Sequence, residues 1–238
     1  MRSERTKELW QRYGHWIYAL ILPVYLTLFF LTEHIVDGSA PYLVSYLPMD
    51  DAIPFCEWFY IAYLLWYPLL GAMGFYLAFT DPRGFKRYMT YIGISFSTAV
   101  VLFLLFPNGQ DLRPDLTALG RDNWCLRGIA ALYATDTNTN VCPSLHVVGC
   151  MAAVFAAFCN ERLRRGIWAP VATMVLSIFI VASTVLIKQH SVLDILLAIP
   201  YGFITWLPVW LIFRDRNRSV INEKTPVFVE NEQNKLVK

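Results

Sequence analysis

Two short stretches carry the side chains that could do chemistry together. They are Cys142-Pro143-Ser144-Leu145-His146 and Lys188-Gln189-His190-Ser191-Val192-Leu193-Asp194. Each places a histidine at the edge of a long apolar run. Asp194 follows His190 by four residues, and in a helical register i and i+4 share a face. A carboxylate so placed holds the imidazole in one tautomer and leaves its other nitrogen free to attack. A phosphate ester suits these parts. Its nonbridging oxygens need fixed positive charge, its phosphorus an in-line nucleophile, and its leaving alkoxide a proton. Arg113 and Lys188 can supply charge. A helix starting at Ser144 would point free N–H groups and its dipole at an anion. His190 with Asp194 makes an oriented nucleophile, and His146 remains for the acid.

The elements that must position these residues are apolar and long. The chain is 56% hydrophobic and only 16% charged, and its mean hydropathy is +0.43. Soluble domains are less apolar and more charged. Several runs approach or exceed the roughly 18–20 residues that span a bilayer. The expectation is an all-α polytopic membrane protein, a six-helix bundle with an extracytoplasmic active site. The runs cover about 16–36, 55–79, 88–106 and 144–159, then two more within 167–213. The first is longer than the apolar core of a secretory signal and is read as an uncleaved span, despite the small residues Gly38-Ser39-Ala40. Residues 1–14 form a polar N-terminal segment, 15–213 the membrane domain, and 214–238 a polar tail. A weakly amphipathic piece, Asn123 to Tyr133, reads as a short interfacial helix. Pro200 and Pro208 predict kinks in the last span.

Charge patterning agrees with that span count. Sixteen of the twenty Lys and Arg fall in the N-terminal segment, the 80–87 loop, the 160–166 loop and the tail. Six spans put those four segments on one side, and basic residues collect on the cytoplasmic side. Both termini then face the cytoplasm of a multi-pass cell-membrane protein. Arg113, Ser144, His146, Lys188, His190 and Asp194 share the outer face. A net charge of +2 makes nucleic acid an improbable partner. Among five cysteines there is no CxxC pair. Cys125 and Cys142 share the outer loop, either as a disulfide or as two free thiols.

These residues resemble the type 2 phosphatidic acid phosphatase superfamily of membrane lipid phosphatases and phosphotransferases. That family carries three blocks, K-x6-R-P, P-S-G-H and S-R-x5-H-x3-D. Here the first keeps Arg113-Pro114, the second reads Pro143-Ser144-Leu145-His146, and the third keeps Ser183, His190 and Asp194. Three positions depart: Phe106 replaces the first Lys, Leu145 the Gly, and Thr184 the Arg. Lys188, one turn after Thr184, could replace that charge. A basic residue two before the histidine is similar to the sphingomyelin-synthase branch, which moves a phospho-headgroup between lipids.

The resemblance implies that His190 attacks phosphorus and forms a phosphohistidine. Asp194 fixes its ring, and His146 protonates the leaving oxygen and then activates water or an alcohol. Arg113, Lys188 and Ser144 hold the phosphoryl oxygens, and no cofactor or metal is required. The expected substrate is a lipid phosphate, such as a phosphatidate, a prenyl (pyro)phosphate or a sphingoid phosphate, its tail entering sideways between spans. Two rivals stay open: a phosphotransferase using a lipid alcohol, and a non-catalytic lipid transporter or binding protein. Oligomeric state is not legible.

Overall fold

The computed structural model describes residues 2–36 and 41–214. The small-residue tripeptide before Pro41 and the tail from residue 215 lie outside the described residues. The helices in chain order are α1 (Arg2–Tyr13), α2 (Ile21–Ile35), α3 (Met49–Ala52), α4 (Tyr60–Leu64), α5 (Trp66–Thr80) and α6 (Pro82–Leu105). Then follow α7 (Trp124–Thr135), α8 (Leu145–Cys159), α9 (Glu161–Arg165), α10 (Trp168–Leu186) and α11 (Val192–Phe213). A 3-10 stretch, Gly14–Leu20, joins α1 to α2. The all-α polytopic architecture read from hydropathy is the one observed. Five helical stretches among the described residues are long and apolar enough to cross a membrane: Lys7–Ile35, Glu57–Thr80, Pro82–Leu105, Trp168–Leu186 and Val192–Phe213. A sixth apolar helix, α8, has 15 residues, about 22 Å against a hydrocarbon core of about 30 Å.

Local sequence explains where these helices start. Asp81 caps α6, its side chain accepting from the Gly84 N–H at 2.8 Å, and Pro82 takes a first-turn position where its missing N–H costs nothing. Arg83, Lys86 and Arg87 therefore lie in the first turns of α6, where hydropathy alone suggested a loop. Asn160 caps α9 and also donates to the Asp81 carboxylate at 2.9 Å. Asn123 caps α7 through the Leu126 N–H. Helix α11 continues through both Pro200 and Pro208.

The core lies between α5, α6, α8, α10 and α11. Helix α8 supplies its small residues, with Ala152, Ala153, Ala156 and Ala157 all buried. In lipid such residues let backbones approach closely, where packing rather than water release drives association. Gly149 is one close approach: a Cβ there would meet the Trp66 ring at 2.7 Å. His15 is buried, its Nε2 donating to the Ala78 carbonyl at 2.9 Å, and so ties the first helical stretch to α5.

Helices α2, α6 and α10 run toward one end of the bundle, and α5, α8 and α11 run away from it. The basic turns around Arg83, Arg87 and Arg162 gather at the opposite end, where Arg83 donates to the Phe213 carbonyl at 2.8 Å. At the first end three loops are knitted together. Strand β1 (Leu43–Val44) pairs in parallel with β2 (Asn108–Gly109), and Gly109 bridges to Thr139.

Candidate active site

The turn between α10 and α11 carries the second stretch. Lys188 takes a left-handed conformation, φ 55°, which reverses the chain after α10. Ser191 then caps α11 in a capping box with Asp194. The Asp194 carboxylate is fully buried and three donors converge on it: the Ser191 N–H at 2.9 Å, the His190 ring at 3.2 Å, and the Ser45 hydroxyl. The acceptor beside Nδ1 assigns the His190 proton there and leaves the lone pair on Nε2.

That Nε2 lies 3.3 Å from Nδ1 of His146. His146 stands in the first turn of α8, its ring 4.6 Å from Tyr63 and 4.7 Å from Trp66 by centroids. Trp66 Nε1 donates to the His146 carbonyl at 3.1 Å. Ser144 holds the N-cap position, but its hydroxyl makes no capping bond and, buried, finds no partner among the described residues. Buried polar groups are normally satisfied, so this hydroxyl is unspent bonding capacity beside the histidine pair.

A cavity of about 280 Å³ opens beside both imidazoles. Asp136, Asn140 and Gln189 form its polar side, and Tyr25, Trp66 and Tyr67 are among its apolar walls. Burial and then the charge of Glu33 push the Asp136 carboxyl up to about 6, against the opposing pull of His190 and Arg113. A raised carboxyl pKa means the charged form is disfavoured in the fold. Stability from this group is therefore greatest below its unfolded value near 4 and falls as pH rises toward 6. Asp136→Asn, which keeps an acceptor for the Gln189 amide, is expected to stabilise the protein by about 1–2 kcal/mol at pH 8. That advantage should vanish near pH 4, and thermal unfolding at the two pH values checks it.

The cations are placed less simply. The Arg113 guanidinium lies over the Tyr133 ring at 4.3 Å. Its Nη1 donates to the Tyr133 carbonyl at 3.2 Å. Its Nη2 donates to the carbonyls of Asp136 and Thr137, each at 2.8 Å, and to the Gln189 side chain at 2.7 Å. Burial draws its pKa below the ordinary arginine value. Arg113 thus meets the histidine turn through Gln189. Lys188 points elsewhere, its ammonium donating to the carbonyls of Asp50 and Ile53, both at 2.7 Å. Burial draws its pKa down as well. Arg121 pairs with Glu57 at 2.7 Å, and Arg127 with exposed Asp122 at 3.5 Å. At the three departing positions, Phe106 is exposed, while Leu145 and Thr184 are buried. Cys125 and Cys142 are free thiols.

The structure brings His146, His190, Asp194 and Ser144 together, links Arg113 to them through one side chain, and turns the Lys188 ammonium away. It also reveals residues that the motifs do not mark. Asp50, buried in α3, accepts from the Ser191 hydroxyl at 2.6 Å and the Val192 N–H at 2.8 Å. Gln110 donates to the Lys188 carbonyl at 2.9 Å. Asn108 accepts from the N–H groups of Val141 and Cys142, at 3.0 and 2.8 Å. The one sequence signal for Asp50 was an acid pair, Asp50-Asp51, in a loop without Lys or Arg.

Comparison with known proteins adds a family. The model of the PAP2 superfamily matches residues 90–218. No curated protein and no solved structure matches the chain. The matched segment is more than half of the chain and includes both histidines, Asp194 and Arg113. The chain belongs to the PAP2 superfamily, whose chemistry is that of phosphatases and phosphotransferases acting on lipid phosphates.

Proposed function

We propose that the chain is a metal-independent lipid phosphate phosphatase working through a phosphohistidine on His190. One observation carries the reading: Asp194, His190 and His146 form an unbroken line of contacts at 3.2 and 3.3 Å. In the first step His190 Nε2 bonds to phosphorus, the phosphorus–oxygen bond to the lipid breaks, and His146 gives its proton to the departing alkoxide. In the second, water bonds to phosphorus, the nitrogen–phosphorus bond breaks, and the water's proton returns to His146. An in-line displacement sets phosphorus between the attacking and leaving atoms. The two imidazoles must therefore part before substrate sits between them, and the cavity beside them is the room for that movement. Ser144 and Arg113 are the candidates for holding phosphoryl oxygens. Lys188 joins them only by leaving the two carbonyls it now holds.

The six-span arrangement, with α8 as the fourth, supports an orientation. The basic turns gather at the end away from the histidines, so that end faces the cytoplasm and the site faces outward. Transfer to a lipid alcohol would use the same residues. One feature favours it: Arg113, Lys188, Arg121 and Arg127 are all engaged by protein acceptors. A phosphodiester also brings one negative charge where a monoester brings nearly two. With phosphorus-labelled lipid, acid-labile and base-stable label on His190 is expected on rapid quenching at high pH. Absence of any such adduct would overturn the proposal. Free phosphate as the product identifies the phosphatase. Label appearing only in a new lipid, on adding an alcohol, identifies the transferase.

A further inference from the structure

An apolar groove of about 370 Å³ runs between α2 and α5, with α6 as its floor. Its floor includes the buried residues Tyr88, Met89 and Ile92, and its rims include the exposed Leu22 and Phe75. The groove begins where the catalytic cavity ends, because Tyr25, Leu26, Trp66 and Tyr67 line both. Along α5 it extends from Trp66 to Ala78, about 18 Å at the helical rise, which exceeds the roughly 15 Å of one hydrocarbon leaflet.

Two glycines keep the α5 wall open. A Cβ at Gly71 would have nothing within 4 Å, and one at Gly74 would meet only the Tyr88 ring, at 3.5 Å. Neither glycine is required by a close helix contact. Their effect is to leave space, and that space is continuous with the histidine pair.

We propose that this groove takes the hydrocarbon chain of the substrate, and that the substrate is a single-chain lipid phosphate rather than a two-chain glycerophospholipid. The inference rests on the lipid-phosphate reading above. A chain leaving the bilayer for the groove exchanges hydrocarbon for hydrocarbon, so no transfer energy favours it. Selection comes from fit, and this slot, continuous with the site, fits one chain. A chain lying straight along α5 passes beyond the middle of the bilayer, which suits a long linear or isoprenoid tail. A second chain would have to lie outside, against the exposed rims.

The test uses the full-length protein in detergent micelles with three esters: hexadecyl phosphate, a dipalmitoyl phosphatidate and water-soluble p-nitrophenyl phosphate. Wild type should favour hexadecyl phosphate over phosphatidate by about tenfold or more in kcat/KM. Gly71→Leu, which fills the slot, should raise KM for hexadecyl phosphate about tenfold or more and leave p-nitrophenyl phosphate unchanged. Gly71→Ala adds one methyl to open space. It should retain the fold and show the same effect in smaller degree, so the result does not hinge on the larger variant. An unchanged KM for hexadecyl phosphate in both variants overturns the groove assignment. So does equal use of the two lipids, or equal loss on all three esters. In each of those cases turnover persists in wild type and the phosphatase reading stands. No turnover of any ester by wild type overturns that reading and the groove with it.

Discussion

Replacing His190 by alanine is expected to abolish phosphate release, a loss of at least about 10⁴-fold, because a covalent nucleophile has no substitute in the site. The unfolding temperature should change little, since the ring's direct partners are two other side chains of the same constellation, His146 and Asp194. Asp194→Asn is the sharper companion. An amide at that position offers N–H groups where Nδ1–H needs an acceptor. The imidazole then turns to the tautomer whose proton blocks the attacking nitrogen, with an expected loss on the order of 10³–10⁴-fold. Phosphate release from a single-chain lipid phosphate measures both. If His190→Ala kept even a few per cent of the rate, attack by this ring would be ruled out.

Replacing Arg113 by methionine should have the largest effect on stability. One half-buried guanidinium closes the loop between α7 and α8 by donating to the carbonyls of Tyr133, Asp136 and Thr137. It also holds the Gln189 side chain, whose amide in turn donates to the Asp136 carboxylate at 2.8 Å. Methionine conserves volume but leaves four acceptors without a donor, at an expected cost of about 3–5 kcal/mol. Lysine retains the charge without the planar fork and should recover only part of the loss. Thermal unfolding gives the cost, and KM gives the second reading. An Arg113→Met protein with the wild-type melting temperature and a raised KM would make this residue a phosphate contact and not a strut.

The apolar runs and the histidine motifs were legible because each is local. A span needs only consecutive apolar residues. The histidine and aspartate of the third block are four residues apart and meet because Asp194, in the first turn of α11, folds back over the N-cap onto the turn that holds His190. The short helix after Asn123 was legible for the same reason, from its weakly amphipathic pattern, and the Asn123 cap that starts it was seen only in the structure. Helix α6 begins six residues before its apolar run because Asp81 and Pro82 govern its start, and capping overrides hydropathy at that boundary. Where the Lys188 ammonium points was not legible in the sequence. Its spacing from Thr184 predicts a shared helical face, but the left-handed turn at Lys188 itself ends that helix. Ser45 and Gln110 left no trace, and Asp50 only its place in an acid pair, because they act across separations of 149, 78 and 141 residues. No periodicity records such contacts.

The family match begins at residue 90, yet much of what steadies His146, His190 and Asp194 comes from earlier in the chain. Ser45 supplies a hydroxyl to Asp194, Asp50 stabilises the start of α11, and Tyr63 and Trp66 flank His146. The parallel pairing of residues 43–44 with 108–109 fastens that earlier portion to the later one. Excising or transplanting the motif-bearing segment alone would carry the reagents without their holder. Any minimal version of this catalyst has to bring its first two membrane passages along.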